Sequence, residues 1–169
     1  MRQIKKAIPN LGELRNYFRG LIPLMKASHS SLTGRRLELW LFNEVNLGSG
    51  KVTAGFQDDR LLNLAQQLLP GSNIGLLTYH GSERGGSSGL IRSHRDHSYA
   101  MPTAVNLNLG EADFEIAGKT YRLGDGEIYE FNCKLPHAIT AIHTAERFSL
   151  VLWHLNKRKG YHCQMPINW

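Results

Sequence analysis

Apolar positions along the chain follow two different periods, and one gives way to the other near residue 73. Over 9–26, Leu11, Leu14, Tyr17, Phe18, Leu21 and Ile22 recur at helical spacing. That spacing predicts an amphipathic helix, which Pro23 breaks or kinks. A polar stretch at 28–34 leads into Leu37-Glu38-Leu39-Trp40-Leu41-Phe42, a strand-like run, and Asn46-Leu47-Gly48-Ser49-Gly50 reads as a turn. Asp58 or Asp59 is placed to cap a second helix over 60–69, which Pro70-Gly71 ends. No pattern of reactive side chains stands out in these seventy residues, so they are expected to be packing material.

From residue 73 the pattern becomes short apolar runs separated by glycine-rich or polar turns. Eight strands are predicted, over 74–79, 89–93, 103–109, 113–116, 119–123, 127–131, 137–142 and 147–155. Gly118 and Gly124-Asp125-Gly126 supply tight turns, because glycine accepts positive φ without a steric penalty. The expected fold is mainly β with flanking helices: a jelly-roll or cupin-like barrel, its N-terminal helices packed on one outer face. The segment 80–89, His80-Gly81-Ser82-Glu83-Arg84-Gly85-Gly86-Ser87-Ser88-Gly89, is too rich in glycine and serine to pack. It is expected to be a loop, with a role as a substrate lid or as a plain surface insertion.

At 169 residues the chain suits one domain, divided here into helical support over 1–72, a β core over 73–156 and a basic tail over 157–169. Hydrophobic residues make up 41% and charged residues 20%, an ordinary globular balance that excludes disordered and fibrous classes. No stretch is apolar enough to span a bilayer, and no signal-type run follows Met1. Cys133 and Cys163 form no close-spaced pair, so neither a disulfide-linked partner nor a thiolate zinc site is expected, and the cytoplasm is the expected compartment. The net charge of +6 favours an anionic partner such as nucleic acid. Much of that charge lies near the ends and in Arg35-Arg36, as solvated tails also would.

The candidate chemistry is concentrated in Ser93-His94-Arg95-Asp96-His97, Leu135-Pro136-His137 and Arg147-Phe148-Ser149. Alternate side chains on a strand share a face, so His94 and Asp96 are placed to bind one metal ion. A third ligand from His137 completes a two-histidine, one-carboxylate set that leaves positions open on non-haem iron. His137 is preferred to His143, which lies four residues before Arg147 and leaves no room for a co-substrate between metal and guanidinium. Arg147 is placed to pair with the far carboxylate of a dicarboxylic 2-oxo acid, and Ser149, on the same face, to donate its hydroxyl to it. His97 is expected either to touch substrate or to orient Asp96.

His94-x-Asp96, a late His137 and Arg147-x-Ser149 ten residues on resemble the iron(II)- and 2-oxoglutarate-dependent dioxygenases. The resemblance covers about 73–156 and implies a double-stranded β-helix. It also implies Fe(II), 2-oxoglutarate and O2 as cofactor and co-substrates, and hydroxylation of a C–H bond coupled to release of succinate and carbon dioxide. Leu77-Thr78-Tyr79 and Thr103–Gly110 resemble the AlkB-like branch, which gives Tyr79 a contact to 2-oxoglutarate. Phe131–Thr140 and Arg147–Val151 resemble the TET/JBP-like enzymes that oxidise pyrimidine methyl groups. The chain departs from the AlkB-like pattern at Leu77, where an asparagine is usual, and at Trp153, where a second arginine is usual. A nucleobase substrate would call on Arg92, Arg95, Lys157, Arg158 and Lys159 for phosphates and on Tyr99, Tyr161 or Trp153 for stacking. A small metabolite, an amino acid or a protein side chain is the alternative substrate, and a non-catalytic binding barrel or a zinc-bound cupin the remaining alternatives.

Overall fold

The structure is a computed structural model, and it describes residues 1–4, 8–34, 36–84 and 89–164. Two sheets face each other. The larger has the order β1 (Arg2–Ile4), β11 (Ile128–Asn132), β8 (Ala100–Leu109), β13 (Glu146–Leu155), β6 (Ile74–Gly81), β3 (Leu37–Leu41) and β2 (Lys26–Ala27). The smaller has the order β10 (Lys119–Leu123), β9 (Ala112–Ile116), β12 (His137–Ile142) and β7 (Ile91–His94). From β6 onward the chain passes between the sheets, with β9 and β10 as a hairpin within the smaller one, which is the winding of a double-stranded β-helix. All eight predicted strands are present. The remaining strands, β1, β2 and the hairpin of β4 (Asn43–Val45) and β5 (Val52–Ala54), have two or three residues each. They carry too little periodicity to be read from sequence and depend on tertiary pairing.

Residue chemistry fixes the turns and caps. Ala117 and Gly118, with φ of 49° and 76°, form the two-residue loop between the paired Ile116 and Lys119, as a type I′ hairpin turn requires. Helix α1 (Leu11–Leu21) starts at Asn10, whose side chain accepts from the Glu13 N–H, and passes into a 3-10 turn containing Pro23. Helix α2 (Asp59–Leu68) starts at Asp58, whose Oδ1 accepts from the Leu61 N–H at 2.8 Å.

Strand alternation divides the interior into two compartments. On β13, Phe148, Leu150 and Leu152 face outward and are buried with Leu14, Phe18 and Leu21 of α1 and Leu61, Leu64 and Leu68 of α2. Both helices thus cover the outer face of the larger sheet. Arg147, Ser149, Val151 and Trp153 point the other way, into the space between the sheets. His80 and Gly81 belong to β6 rather than to the predicted loop. Residues 85–88 of the proposed lid lie outside the described residues.

Candidate metal centre

His94 ends β7 and His137 begins β12, and the two are directly paired across the smaller sheet, with ring centroids 4.3 Å apart. Asp96 is not on a strand, contrary to the alternation expected from sequence. It lies in the segment after β7, where its N–H donates to the Cys133 carbonyl at 2.9 Å. Lys134 Nζ also donates to the Asp96 and His97 carbonyls, at 3.1 and 2.5 Å. The turn between β11 and β12 therefore holds Asp96 in place and also carries the chain into His137.

The ligand atoms converge. His94 Nε2 and His137 Nε2 lie 3.5 and 3.6 Å from Asp96 Oδ1, and one atom from each residue lies within 4.8 Å of the others. Each imidazole has its Nδ1 2.9 Å from a backbone carbonyl, that of Arg92 for His94 and that of Leu135 for His137. A carbonyl only accepts, so each Nδ1 carries a proton, and Nε2 is the ring atom turned toward the carboxylate. Two imidazole Nε2 atoms and a carboxylate oxygen converging on one point suit a cation. Asp96 Oδ2, pointing away, accepts from Trp153 Nε1 at 2.9 Å. Burial would raise the Asp96 carboxyl, but His137 and His94 outweigh it and hold the group well below the ordinary carboxylate range.

Arg147 lies across the cavity on β13 and is 5% exposed. Its Nε donates to Asn108 Oδ1 at 2.8 Å, while Nη2 is buried without a hydrogen-bond partner among the described residues. Asn108 is itself fixed by donating to the Gly110 and Gly124 carbonyls. Gly110, at φ 103°, permits the close approach of β13: a Cβ there would lie 2.7 Å from the Glu146 carbonyl oxygen. Burial, followed by repulsion from Arg36, pushes the Arg147 guanidinium down to about 9. A buried cation with an unused donor and no carboxylate partner is suited to an anionic ligand.

The structure corrects several sequence assignments. Tyr79 cannot meet a molecule in this cavity, because strand alternation puts Thr78 on the cavity wall and Tyr79 on the helix-covered side. There its ring lies 5.0 Å from that of Phe148, and its hydroxyl donates to Glu83 at 3.1 Å. Ser149 lines the cavity beside Arg147, but its hydroxyl donates to Asn106 Oδ1 at 2.8 Å, so the proton expected to meet a co-substrate is already committed. Arg92 is exposed and donates to the Ser31 carbonyl rather than facing the cavity. Tyr99 is buried in the wall between Trp40 and Trp153, and its ring is edged by Tyr161. It is a packed ring, not a free stacking surface. Arg95 and His97 are exposed at the mouth, and Trp153, not His97, orients Asp96. His143 pairs with Asp113 at 3.0 Å, on the face away from the cavity.

The cavity has a volume of about 650 Å³, and the N-terminal region contributes much of its wall. His29 to Leu32, Arg36, Glu38, Trp40 and the turn at 44–48 all line it. The expectation that the first seventy residues only support packing is therefore wrong. Also missed were Asn106 and Asn108, neighbours on one face of β8, although polar residues alternating with Val105, Leu107 and Leu109 were a readable signal.

No family model and no curated protein sequence matches the chain. Solved structures do match its fold. OsALKBH1 aligns at 12% identity over 87% of this chain and 92% of its own, with a TM-score of 0.65. A 2OG-Fe(II) oxygenase-family oxidoreductase from Burkholderia pseudomallei aligns at 13% over 82% and 77%, with a TM-score of 0.59. A prolyl-4-hydroxylase from Pseudomonas putida aligns at 16% over 92% and 91%, with a TM-score of 0.58. At such identities the likeness establishes the fold. No helix among the described residues is long and apolar enough to cross a membrane.

Proposed function

We propose that the chain is a single-domain Fe(II)- and 2-oxoglutarate-dependent oxygenase that hydroxylates a C–H bond. The observation that carries this reading is the pairing, within one cavity, of the convergent His94–Asp96–His137 cluster and the buried Arg147 Nη2, which has no partner among the described residues. Iron(II) bound at the cluster would supply oxygen activation: O2, 2-oxoglutarate and R–H become R–OH, succinate and carbon dioxide. The chain's own contribution is positional. His94 and His137 present Nε2 because their Nδ1 protons are held by backbone carbonyls, and Trp153 fixes one Asp96 oxygen so that the other faces the metal. Arg147, steadied by Asn108, would pair with the 2-oxoglutarate carboxylate remote from the metal.

For the substrate, two readings follow from the cavity wall. A nucleobase is favoured by the flat surfaces of Trp40 and Trp153 and by Arg95 at the mouth. A small molecule is favoured by the other basic groups. Arg92 is tied to Ser31, and Lys157, Arg158 and Lys159 lie in a 3-10 turn outside the cavity wall. Salt-dependent retention on single-stranded DNA or RNA separates the two, since phosphate contacts weaken steeply with salt.

The test of the chemistry is anaerobic loading with Fe(II) and 2-oxoglutarate, followed by oxygen and a succinate assay. His94→Ala and Asp96→Ala should lose iron binding. Arg147→Ala should keep iron but bind 2-oxoglutarate more weakly, by about 2–5 kcal/mol as for other truncated buried charge pairs. Unchanged 2-oxoglutarate affinity in Arg147→Ala would exclude the clamp.

A further inference from the structure

The iron-and-co-substrate reading leaves one charged pair in the cavity without a role. On β3 and the residue before it, Leu37, Leu39 and Leu41 pack toward the helices, while Arg36, Glu38 and Trp40 line the cavity. Strand alternation thus places a cation, an anion and a flat ring in a row on one wall. Glu38 and Trp40 stand opposite Thr78 and Leu76 of β6, two further lining residues. Arg36 and Glu38 are mostly buried, with side chains 13% and 18% exposed.

Their contact is incomplete. Arg36 Nε lies 3.6 Å from Glu38 Oε2, an ion pair beyond hydrogen-bond range, and Nε is buried with no hydrogen-bond partner among the described residues. Burial lowers the Arg36 guanidinium, and Glu38, Tyr99 and Asp96 only partly offset this. Arg36 also acts on Arg147, so it lies within electrostatic reach of both the proposed metal cluster and the proposed clamp. Two desolvated charges in a loose ion pair, with Arg36 Nε left over, are placed to be completed by a ligand.

Resting on the oxygenase reading, we propose that Arg36 and Glu38 form the primary-substrate subsite, and that the substrate is a small zwitterion of the α-amino-acid type. Its carboxylate pairs with Arg36 and its ammonium with Glu38, while its side chain lies against Trp40 and extends toward His94, Asp96 and His137. The carboxylate and ammonium of such a molecule sit on one carbon, so they match two protein charges a few ångströms apart. The Arg36–Glu38 pair is self-neutral, so a net-neutral ligand leaves no charge buried unpaired. A phosphodiester would bring excess negative charge into a wall that also carries Glu44, and a neutral base edge would leave both full charges facing partial ones. The cavity of about 650 Å³ lies within the range of small-molecule sites, roughly 300–1,000 Å³.

The experiment uses the full chain loaded anaerobically with Fe(II) and 2-oxoglutarate, whose chelate has a visible charge-transfer band. The twenty free L-amino acids are titrated as probes, beside adenosine, cytidine and thymidine, and oxygen is then admitted and succinate counted. At least one amino acid should shift the band and raise succinate output. Arg36→Gln and Glu38→Gln should each weaken that response at least ten-fold while leaving the 2-oxoglutarate requirement within two-fold of wild type, and Arg36→Lys should restore part of it. An intact band in each variant shows that the fold and the metal site survive the substitution. The subsite is overturned if no amino acid shifts the band, if nucleosides shift it indifferently to both substitutions, or if Arg36→Gln raises the 2-oxoglutarate requirement as Arg147→Ala does. A wild-type chain that forms no band with Fe(II) and 2-oxoglutarate fails the oxygenase reading itself, a result distinct from those three.

Discussion

Residues at the candidate centre are set by hydrogen bonds that leave little freedom. The Trp153 indole N–H on Asp96 Oδ2 is a bond to a charged acceptor, of a kind that contributes about 1.5–3 kcal/mol. Trp153→Phe keeps the ring and removes the donor. We expect Fe(II) affinity to fall roughly 10- to 100-fold, as when other groups that orient metal ligands are lost, with little change in the melting temperature of the metal-free protein. Anaerobic titration calorimetry checks it, and an unchanged iron affinity would show that Asp96 needs no such support. Arg147 makes the opposite case. As a buried cation without a carboxylate it destabilises the ligand-free fold, so Arg147→Gln should be as stable as wild type or more so without ligand, and should lose the stabilisation that 2-oxoglutarate gives. Much of this was legible in sequence: His94, Asp96, His137 and Arg147 all face one cavity. Tyr79 was misplaced because a family role was carried onto a strand whose register the sequence leaves open, and a shift of one residue moves a side chain through the sheet. The support that Trp153 gives Asp96 is not legible, because nothing in a linear sequence says where an indole N–H will point.

At the scale of elements, β6 and β13 form the seam that joins the helix-side core to the cavity. His80 on β6 is paired with Arg147 on β13. The residue is 7% exposed, its Nδ1 has no hydrogen-bond partner among the described residues, and burial and then Arg147 lower its pKa below the ordinary 6.5, against a smaller opposing effect of Glu83. As pH falls through 6.5 the unfolded chain takes up this proton first, so stability decreases from there down to the folded-state pKa. Urea unfolding at pH 7.5 and 5.5 should show the loss, and His80→Gln should reduce the difference. If the substitution leaves the two pH values as far apart as in wild type, the histidine is not the source. Helix α2 offers a second check, because Asp58 caps it and also accepts from the Tyr17 hydroxyl at 2.5 Å, tying α1 to α2. Asp58→Ala should cost about 0.5–2 kcal/mol, the usual range for a lost N-cap, read as a lowered urea midpoint. The eight core strands are legible because glycine-rich or polar turns punctuate them. The chemistry of β3 was not, although Arg36-Leu37-Glu38-Leu39-Trp40-Leu41 alternates plainly, because alternation does not reveal which face meets helices and which meets a cavity.

In the whole molecule the two halves of the proposed site lie on different sheets. His94 and His137 belong to the smaller sheet, with Asp96 just beyond its end, while Arg147 and its support Asn108 belong to the larger. A metal-bound dicarboxylic 2-oxo acid reaching Arg147 would therefore bridge the sheets, and its binding energy becomes stability of the pair. By linkage, a ligand at a hundred times its dissociation constant adds about 2.7 kcal/mol. For a chain of this size each 1 kcal/mol raises the melting temperature by roughly 2–4 °C. Thermal melts should be run with redox-inert Mn(II) or Zn(II), with 2-oxoglutarate, and with both. The metal alone should give a moderate rise and the co-substrate alone a small one. The two together should exceed their sum, because chelation needs the metal and the clamp needs the chelated geometry. Arg147→Gln should abolish the excess while keeping the rise from metal alone, and Asp96→Ala should abolish both. Strictly additive shifts would mean that metal and co-substrate bind independently, and that the two sheets are not joined by one ligand.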